Sequence, residues 1–221
     1  MFLRKNLNID KGSSPCYNDY MDDKYSGVTK LYKNVIGMNE CHVVLAEHNP
    51  LWKEIFEWNK SVLEEMLEEW YDVDIHHIGS TSVDTIELAK PIIDILVVNK
   101  SPDKKYLEPE HIALRNGLYV PEDCVPDGEV MLKVIDKSNH LRTLNRLHFA
   151  NGSESNFAKR ALRFKEYMKA FPEEAKKYTE LKKSLEVQNL NVLEYAWAKH
   201  NYMVEVNLMA AKEMELETIS K

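Results

Sequence analysis

Lys90-Pro91-Ile92-Ile93-Asp94-Ile95-Leu96-Val97-Val98 is the stretch on which the reading of this chain turns. Pro91 starts an extended segment, because its ring fixes φ and removes a backbone donor. The residues after it are aliphatic on both parities, which predicts a central strand over 91–98 covered on two sides. Asp94 breaks that pattern. A carboxylate among such neighbours is costly unless it meets a cation, a metal or several N–H donors. It is therefore expected to be shut away from water and satisfied by a structural partner, a metal ion or a bound ligand. Lys90 is near enough in sequence to be the cation or to reach a ligand phosphate.

Upstream, Val73-Asp74-Ile75-His76-His77-Ile78-Gly79 reads as a strand ending at its glycine, with His76 and His77 on opposite faces. The turn Gly79-Ser80-Thr81-Ser82 follows. Glycine admits a ligand close to the backbone, and the hydroxyls and free N–H groups around Ser80 suit phosphate oxygens, although Gly-Ser at a strand end is also a common plain turn. Further back, Asn49-Pro50 is a cap followed by proline at the first helical position, and Leu51, Ile55, Val62, Met66 and Trp70 predict a helix over 50–70. A short turn or helix is expected over 83–89.

Downstream, a helix over 104–116 and strands over 129–136 and 141–150 are expected. Strict alternation in the last strand puts Arg142, Leu144, Arg146 and His148 on one face, and Leu141, Thr143, Asn145, Leu147 and Phe149 on the other. Two guanidiniums and an imidazole in a row make a phosphate or metal face. Helices follow over 153–171, 172–188 and 191–217, the first two divided at Phe171-Pro172. Trp52, Trp58, Trp70 and Trp197 are expected in the core. The pattern is α+β: a mixed sheet flanked by helices, with a helical C-terminal half. Residues 1–37 read as an arm and 38–221 as the domain, its sheet core over about 50–150 and its helical part over about 153–217.

With 221 residues, 44% hydrophobic and 29% charged, the chain can bury a core and keep a soluble surface. Cys16, Cys41 and Cys124 are too scattered for a disulfide framework, and Met1 to Lys5 do not lead into an apolar block, so a cytoplasmic protein is expected, without a membrane partner. The net charge of −7 is uneven: eleven Lys and Arg against five acids between Arg142 and Lys183 make that segment +6 and the remainder −13. An acidic protein with one basic stretch suits a small phosphorylated ligand better than long nucleic acid.

His77-Ile78-Gly79-Ser80-Thr81-Ser82-Val83, then Ala89-Lys90-Pro91-Ile92-Ile93-Asp94-Ile95, then Leu147-His148-Phe149 together resemble the GrpB family. Phe164-Lys165-Glu166-Tyr167-Met168, Tyr178-x-x-Leu181-Lys182 and Glu194-Tyr195 carry the resemblance into the helical tail, so that it spans about residues 40–212. The resemblance implies a nucleotidyltransferase-like fold. It assigns nucleotide phosphates to Gly79, Ser80, Thr81 and Ser82, with Lys90, Arg142 and Arg146 offsetting their charge. Asp94 and His148 become the catalytic and metal-binding pair, taking Mg²⁺ or Mn²⁺. It departs from the superfamily pattern at Leu96, where a second carboxylate is usual, and at Arg146, where many family members carry a further histidine. Asp84, Glu87 or Glu129 are candidates for another ligand, and the spacing selects none. The implied activity is nucleotidyl transfer from a nucleoside triphosphate to a small acceptor. Leu96 favours the alternative, a non-catalytic protein of the same fold that binds a nucleotide or phosphometabolite. An interaction module built on the helical half is a third reading.

Overall fold

The computed structural model describes residues 32, 34–67, 71–103, 119–121, 131–136 and 139–219. Strands β1 (Met38–Asn39) and β2 (Ala46–Glu47) precede helix α1 (Leu51–Leu67). Its start is as expected: the Asn49 side chain accepts the Leu51 N–H at 3.0 Å, with Pro50 between them. Strand β3 (Val73–Ile78) runs through Gly79 into a short 3-10 turn, Ser80–Ser82. Strands β4 (Leu88–Ala89), β5 (Ile93–Asn99), β6 (Tyr119–Pro121), β7 (Met131–Asp136) and β8 (Asn139–Asn151) complete the sheets. Helices α2 (Asn156–Ala170), α3 (Pro172–Glu186), α4 (Val192–Ala198) and α5 (His200–Ile219) form the C-terminal half. The expected arm over 1–37 falls almost wholly outside the described residues, and so do the expected helix over 104–116, Trp70 and Glu129.

The principal sheet has the order β3-β5-β8-β7-β6, with β1 also paired to β8. Strand β5 is antiparallel to β3 and parallel to β8, so it is paired on both sides. That mixed sheet is the α+β architecture expected. One face, carrying Ile95, Val97, Leu147 and Phe149, packs on α1 through Trp52, Ile55 and Leu63. Trp52 and Leu63 are almost wholly enclosed, and each such side chain contributes roughly 1.5–3 kcal/mol of burial. The other face, with Ile78, Leu96, Val98 and Ala150, is covered by Phe157, Ala158, Ala161 and Leu162 of α2. Register pairs Leu96 with both His76 and His148, which puts those three on the α2 side and His77 on the α1 side.

The helical half departs from expectation in two places. The single helix expected over 191–217 is two, divided at Lys199, the first started by a capping box of Asn191 and Glu194. Trp197 lies 64% exposed rather than in the core, on the outer face of α4. Phe171-Pro172 divides α2 from α3 as expected, with Pro172 in the first turn of α3. Val83 and Ile86 pack with Phe164, Met168, Ala175, Tyr178 and Val206, so the segment after the turn is the seat of the helices. No helix among the described residues is long and apolar enough to cross a membrane.

Candidate active site

The turn after β3 lies directly on the carboxylate of β5. Gly79 has φ +69°, and a Cβ built on it would stand 2.5 Å from Asp94 Oδ2. Both facts demand glycine: an L side chain is strained at that φ, and it would displace the carboxylate. Ser82 Oγ donates to Gly79 O at 2.7 Å, and the N–H groups of Ser82 and Val83 donate to Gly79 O and Ser80 O. The N–H groups of Ser80 and Thr81 therefore have no acceptor inside the turn. Thr81, buried, donates from Oγ1 to Ile92 O at 3.3 Å, which ties the turn to the root of β5. With that hydrogen spent, His77 Nε2 donates to Thr81 Oγ1 at 3.0 Å, and this fixes the neutral tautomer. The His77 ring stacks on Phe56 at 4.8 Å between centroids. Burial first, then the Lys165 charge, push its pKa down to about 3, against the opposing pull of Asp94.

Asp94 is not wholly shut away from water as expected: 27% of its side chain is exposed, so the carboxylate is partly open where β3, β5 and β8 meet. Its Oδ1 lies 3.7 Å from His148 Nε2, an ion-pair distance rather than a hydrogen bond. Burial pushes the Asp94 carboxyl up, but His148, followed by the charges of Arg146 and Lys90, outweighs it and holds the group below the usual carboxylate range. The His148 ring stacks on Phe157 at 5.0 Å, and its Nδ1 is buried without a partner. Arg146, opposite Asp94 in the β5–β8 register, donates from Nη2 to Glu40 Oε1 at 2.6 Å. Lys133 Nζ donates to the other Glu40 oxygen at 2.9 Å.

Not every expected residue reaches this junction. The pairing of β7 with β8 slips between Val134 and Ile135, where Asn145 and Thr143 are the successive partners. This bulge ends the strict alternation, because an extra residue reverses the faces beyond it. Leu144 joins the α1 core, and Arg142 turns to Asp136 Oδ2 at 3.2 Å and to Ile36 O. Gly79, Ser80, Asp94, Arg146 and His148 do gather around the junction of β3, β5 and β8. Lys90 stands at its edge, with Nζ 5.7 Å from the Tyr195 ring centroid. His76 shares the sheet face of Asp94.

Three contributors escaped the sequence reading. Lys182 of α3 is 2% exposed, donating to Leu88 O and standing 3.5 Å from Ser80 Oγ. Lys165 of α2 donates to His77 O at 2.9 Å. Glu40, the holder of Arg146, lies in the turn just after the two-residue strand β1, where there is no periodicity to read. For Lys182 a signal existed: it sits one turn from Tyr178 on the buried face of an otherwise charged helix.

The residues present fit a divalent ion only in part. Among the described residues no group of three or more His, Cys, Asp or Glu side chains gathers to hold one. Leu96, at the usual second carboxylate position, is 0% exposed under α2. Asp94, ionised and partly exposed, with His148 beside it, fits an ion that shares its coordination with ligand phosphates, as Mg²⁺ commonly does.

A Gly-Ser turn laid over a carboxylate on the neighbouring strand of a mixed sheet is the arrangement that the GrpB-like motifs led one to expect. The chain belongs to the GrpB family: residues 42–208 match the family described as GrpB protein. The glutamate-rich protein GrpB of Alkalihalophilus pseudofirmus is 33% identical over 152 residues, 68% of this chain and 85% of that one. The UPF0157 protein YqkA of Bacillus subtilis is 32% identical over 142 residues, 64% of this chain but only 39% of that longer relative. The crystal structure of conserved protein GrpB from Enterococcus faecalis superimposes with a TM-score of 0.63 at 26% identity, covering 77% of this chain and 99% of that one.

Proposed function

We propose that the junction of β3, β5 and β8 binds the phosphates of a nucleoside triphosphate and serves transfer of its nucleotidyl group to a small acceptor. The contact of Gly79 with Asp94 carries this reading, because it puts phosphate-binding amides and an ionised carboxylate at one point. The acceptor oxygen forms a bond to the α-phosphorus, the α–β bridging bond breaks, and pyrophosphate leaves with the electron pair while the acceptor proton passes to water. Ser80 Oγ and the N–H groups of Ser80 and Thr81 orient the phosphates. Arg146, held by Glu40, and Lys90 offset their charge. Asp94 and His148 would hold Mg²⁺ or Mn²⁺ together with the phosphates, and the ion would neutralise charge as pyrophosphate departs. Asp94, with its lowered pKa, is a weak base, and His148 Nδ1 is buried, so positioning and electrostatics carry the rate. Pyrophosphate release from the four common nucleoside triphosphates, across a panel of hydroxyl and amine acceptors, tests the reading. Release that needs Asp94 supports it, and no release with any pair sinks it.

A second reading, binding without transfer, is favoured by one observation: Leu96 leaves a single carboxylate on the strand. It is distinguished by tight nucleotide or phosphometabolite binding with no pyrophosphate released.

A further inference from the structure

Beside the turn, three lysines stand around two tyrosine rings of the helical half. Lys182 Nζ lies 4.6 Å from the Tyr178 ring centroid and 3.5 Å from Ser80 Oγ. Lys199 Nζ, at the break between α4 and α5, donates to Tyr178 OH at 3.3 Å and lies 4.8 Å from the Tyr195 centroid. Lys90, from the root of β5, flanks the same Tyr195 ring at 5.7 Å. Among the described residues neither Lys182 nor Lys199 has a carboxylate at ion-pair distance. A buried ammonium ion without a counter-charge is costly, so it must lose its proton or gain an anion. Tyr195, 0% exposed, adds an independent sign: its hydroxyl is buried and has no hydrogen-bond partner.

We propose that Lys182, Lys199 and Lys90, set around Tyr178 and Tyr195 next to Ser80, form a polyphosphate subsite that takes the terminal phosphates of the ligand whose first phosphate rests on the Gly79–Ser82 turn. The inference rests on the nucleotide reading for its ligand but not for its chemistry, since a bare polyphosphate chain satisfies the same groups. Burial together with the charges of Lys199 and Lys90 pushes the Lys182 amine down to about 6 in the unliganded protein, and an anion restores its proton. The buried Tyr195 hydroxyl keeps its proton, because burial pushes its pKa up, and it remains a donor.

Calorimetric titration of the full chain with sodium tripolyphosphate, without divalent metal, tests the subsite. Tripolyphosphate binds the unmodified protein more tightly than orthophosphate does. Lys199→Gln weakens tripolyphosphate binding at least five-fold, and Lys176→Gln, on the exposed face of α3, changes it less than two-fold. Lys199, half-exposed, is the deciding position because Lys182→Met can disturb packing; circular dichroism checks both variants for folding. No tripolyphosphate binding, a change under five-fold in Lys199→Gln, or an equal loss in Lys176→Gln overturns the inference. Tripolyphosphate binding that needs Lys199, with nucleoside triphosphates binding no better, upholds the subsite and removes the nucleotide reading instead.

Discussion

Gly79 and Asp94 are in backbone-to-carboxylate contact: a Cβ on residue 79 would fall 2.5 Å from Asp94 Oδ2, and the φ of +69° that produces the contact is one that only glycine adopts freely. Gly79→Ala is therefore expected to cost about 1–3 kcal/mol of stability from strain alone and to turn the carboxylate out of line. Urea denaturation measures the first effect. Calorimetry is expected to show at least ten-fold weaker nucleoside triphosphate binding in the folded fraction.

Thr81 joins three segments through one hydroxyl, linking His77 of β3 to the Ile92 carbonyl at the root of β5. Thr81→Val keeps the shape but leaves a buried N–H and a buried carbonyl without their partner, a loss of about 1–3 kcal/mol. Thr81→Ser keeps the hydroxyl and is expected to retain most of that stability. Equal denaturation midpoints for the two variants would mean that the hydroxyl holds nothing.

Lys182 and His77 both have depressed pKa values, about 6 and about 3, each set first by burial. The sign is the same for both: in the window between the folded value and the ordinary unfolded one, the unfolded chain binds a proton that the folded chain does not. Stability thus rises with pH, by up to about 1.4 kcal/mol per unit per group. The window runs from pH 3 to roughly 6.5 for His77 and from 6 to roughly 10.4 for Lys182. Lys182→Met is expected to flatten the slope of unfolding free energy between pH 7 and 9 and to leave the acid limb unchanged. An unaltered slope would show that Lys182 keeps its proton in the folded protein.

Leu96 cannot simply be exchanged for the missing carboxylate. It is 0% exposed, packed among Ile78, Val98, Ala150 and Ala158 under α2. Leu96→Asp is expected to cost at least about 3 kcal/mol and to yield no gain in pyrophosphate release, whereas Leu96→Met stays within about 1.5 kcal/mol. Restored transfer in a folded Leu96→Asp protein would contradict this picture of the α2 face.

The central strand was legible because Ile92 to Val98 is apolar at both parities, a pattern that only a strand covered on two faces explains. The turn at Gly79 was legible for the same kind of local reason. The faces of β8 were not: alternation holds from Asn145 to Ala150, but the bulge near Leu144 arises from pairing with β7 and has no local signature, so Arg142 went to Asp136 and Ile36 instead of to the junction of β3, β5 and β8. Asp94 read as deeply buried because its neighbours in sequence are apolar, while its exposure is decided by what the turn and α2 leave uncovered. Trp197 read as core by residue type, but the face that α4 buries carries Val192 and Tyr195, and Trp197 lies off it. Lys182 and Glu40 act over separations of 102 and 106 residues from Ser80 and Arg146, distances at which periodicity carries no information.

The most direct test of the account is calorimetric titration of nucleoside triphosphates into the unmodified protein and into Asp94→Asn, each with and without Mg²⁺ or Mn²⁺. At least one triphosphate is expected to bind ten-fold or more tightly when the ion is present, with that increment lost in Asp94→Asn. No triphosphate binding under either condition, or the same metal-dependent increment in Asp94→Asn, would contradict a site built on this carboxylate.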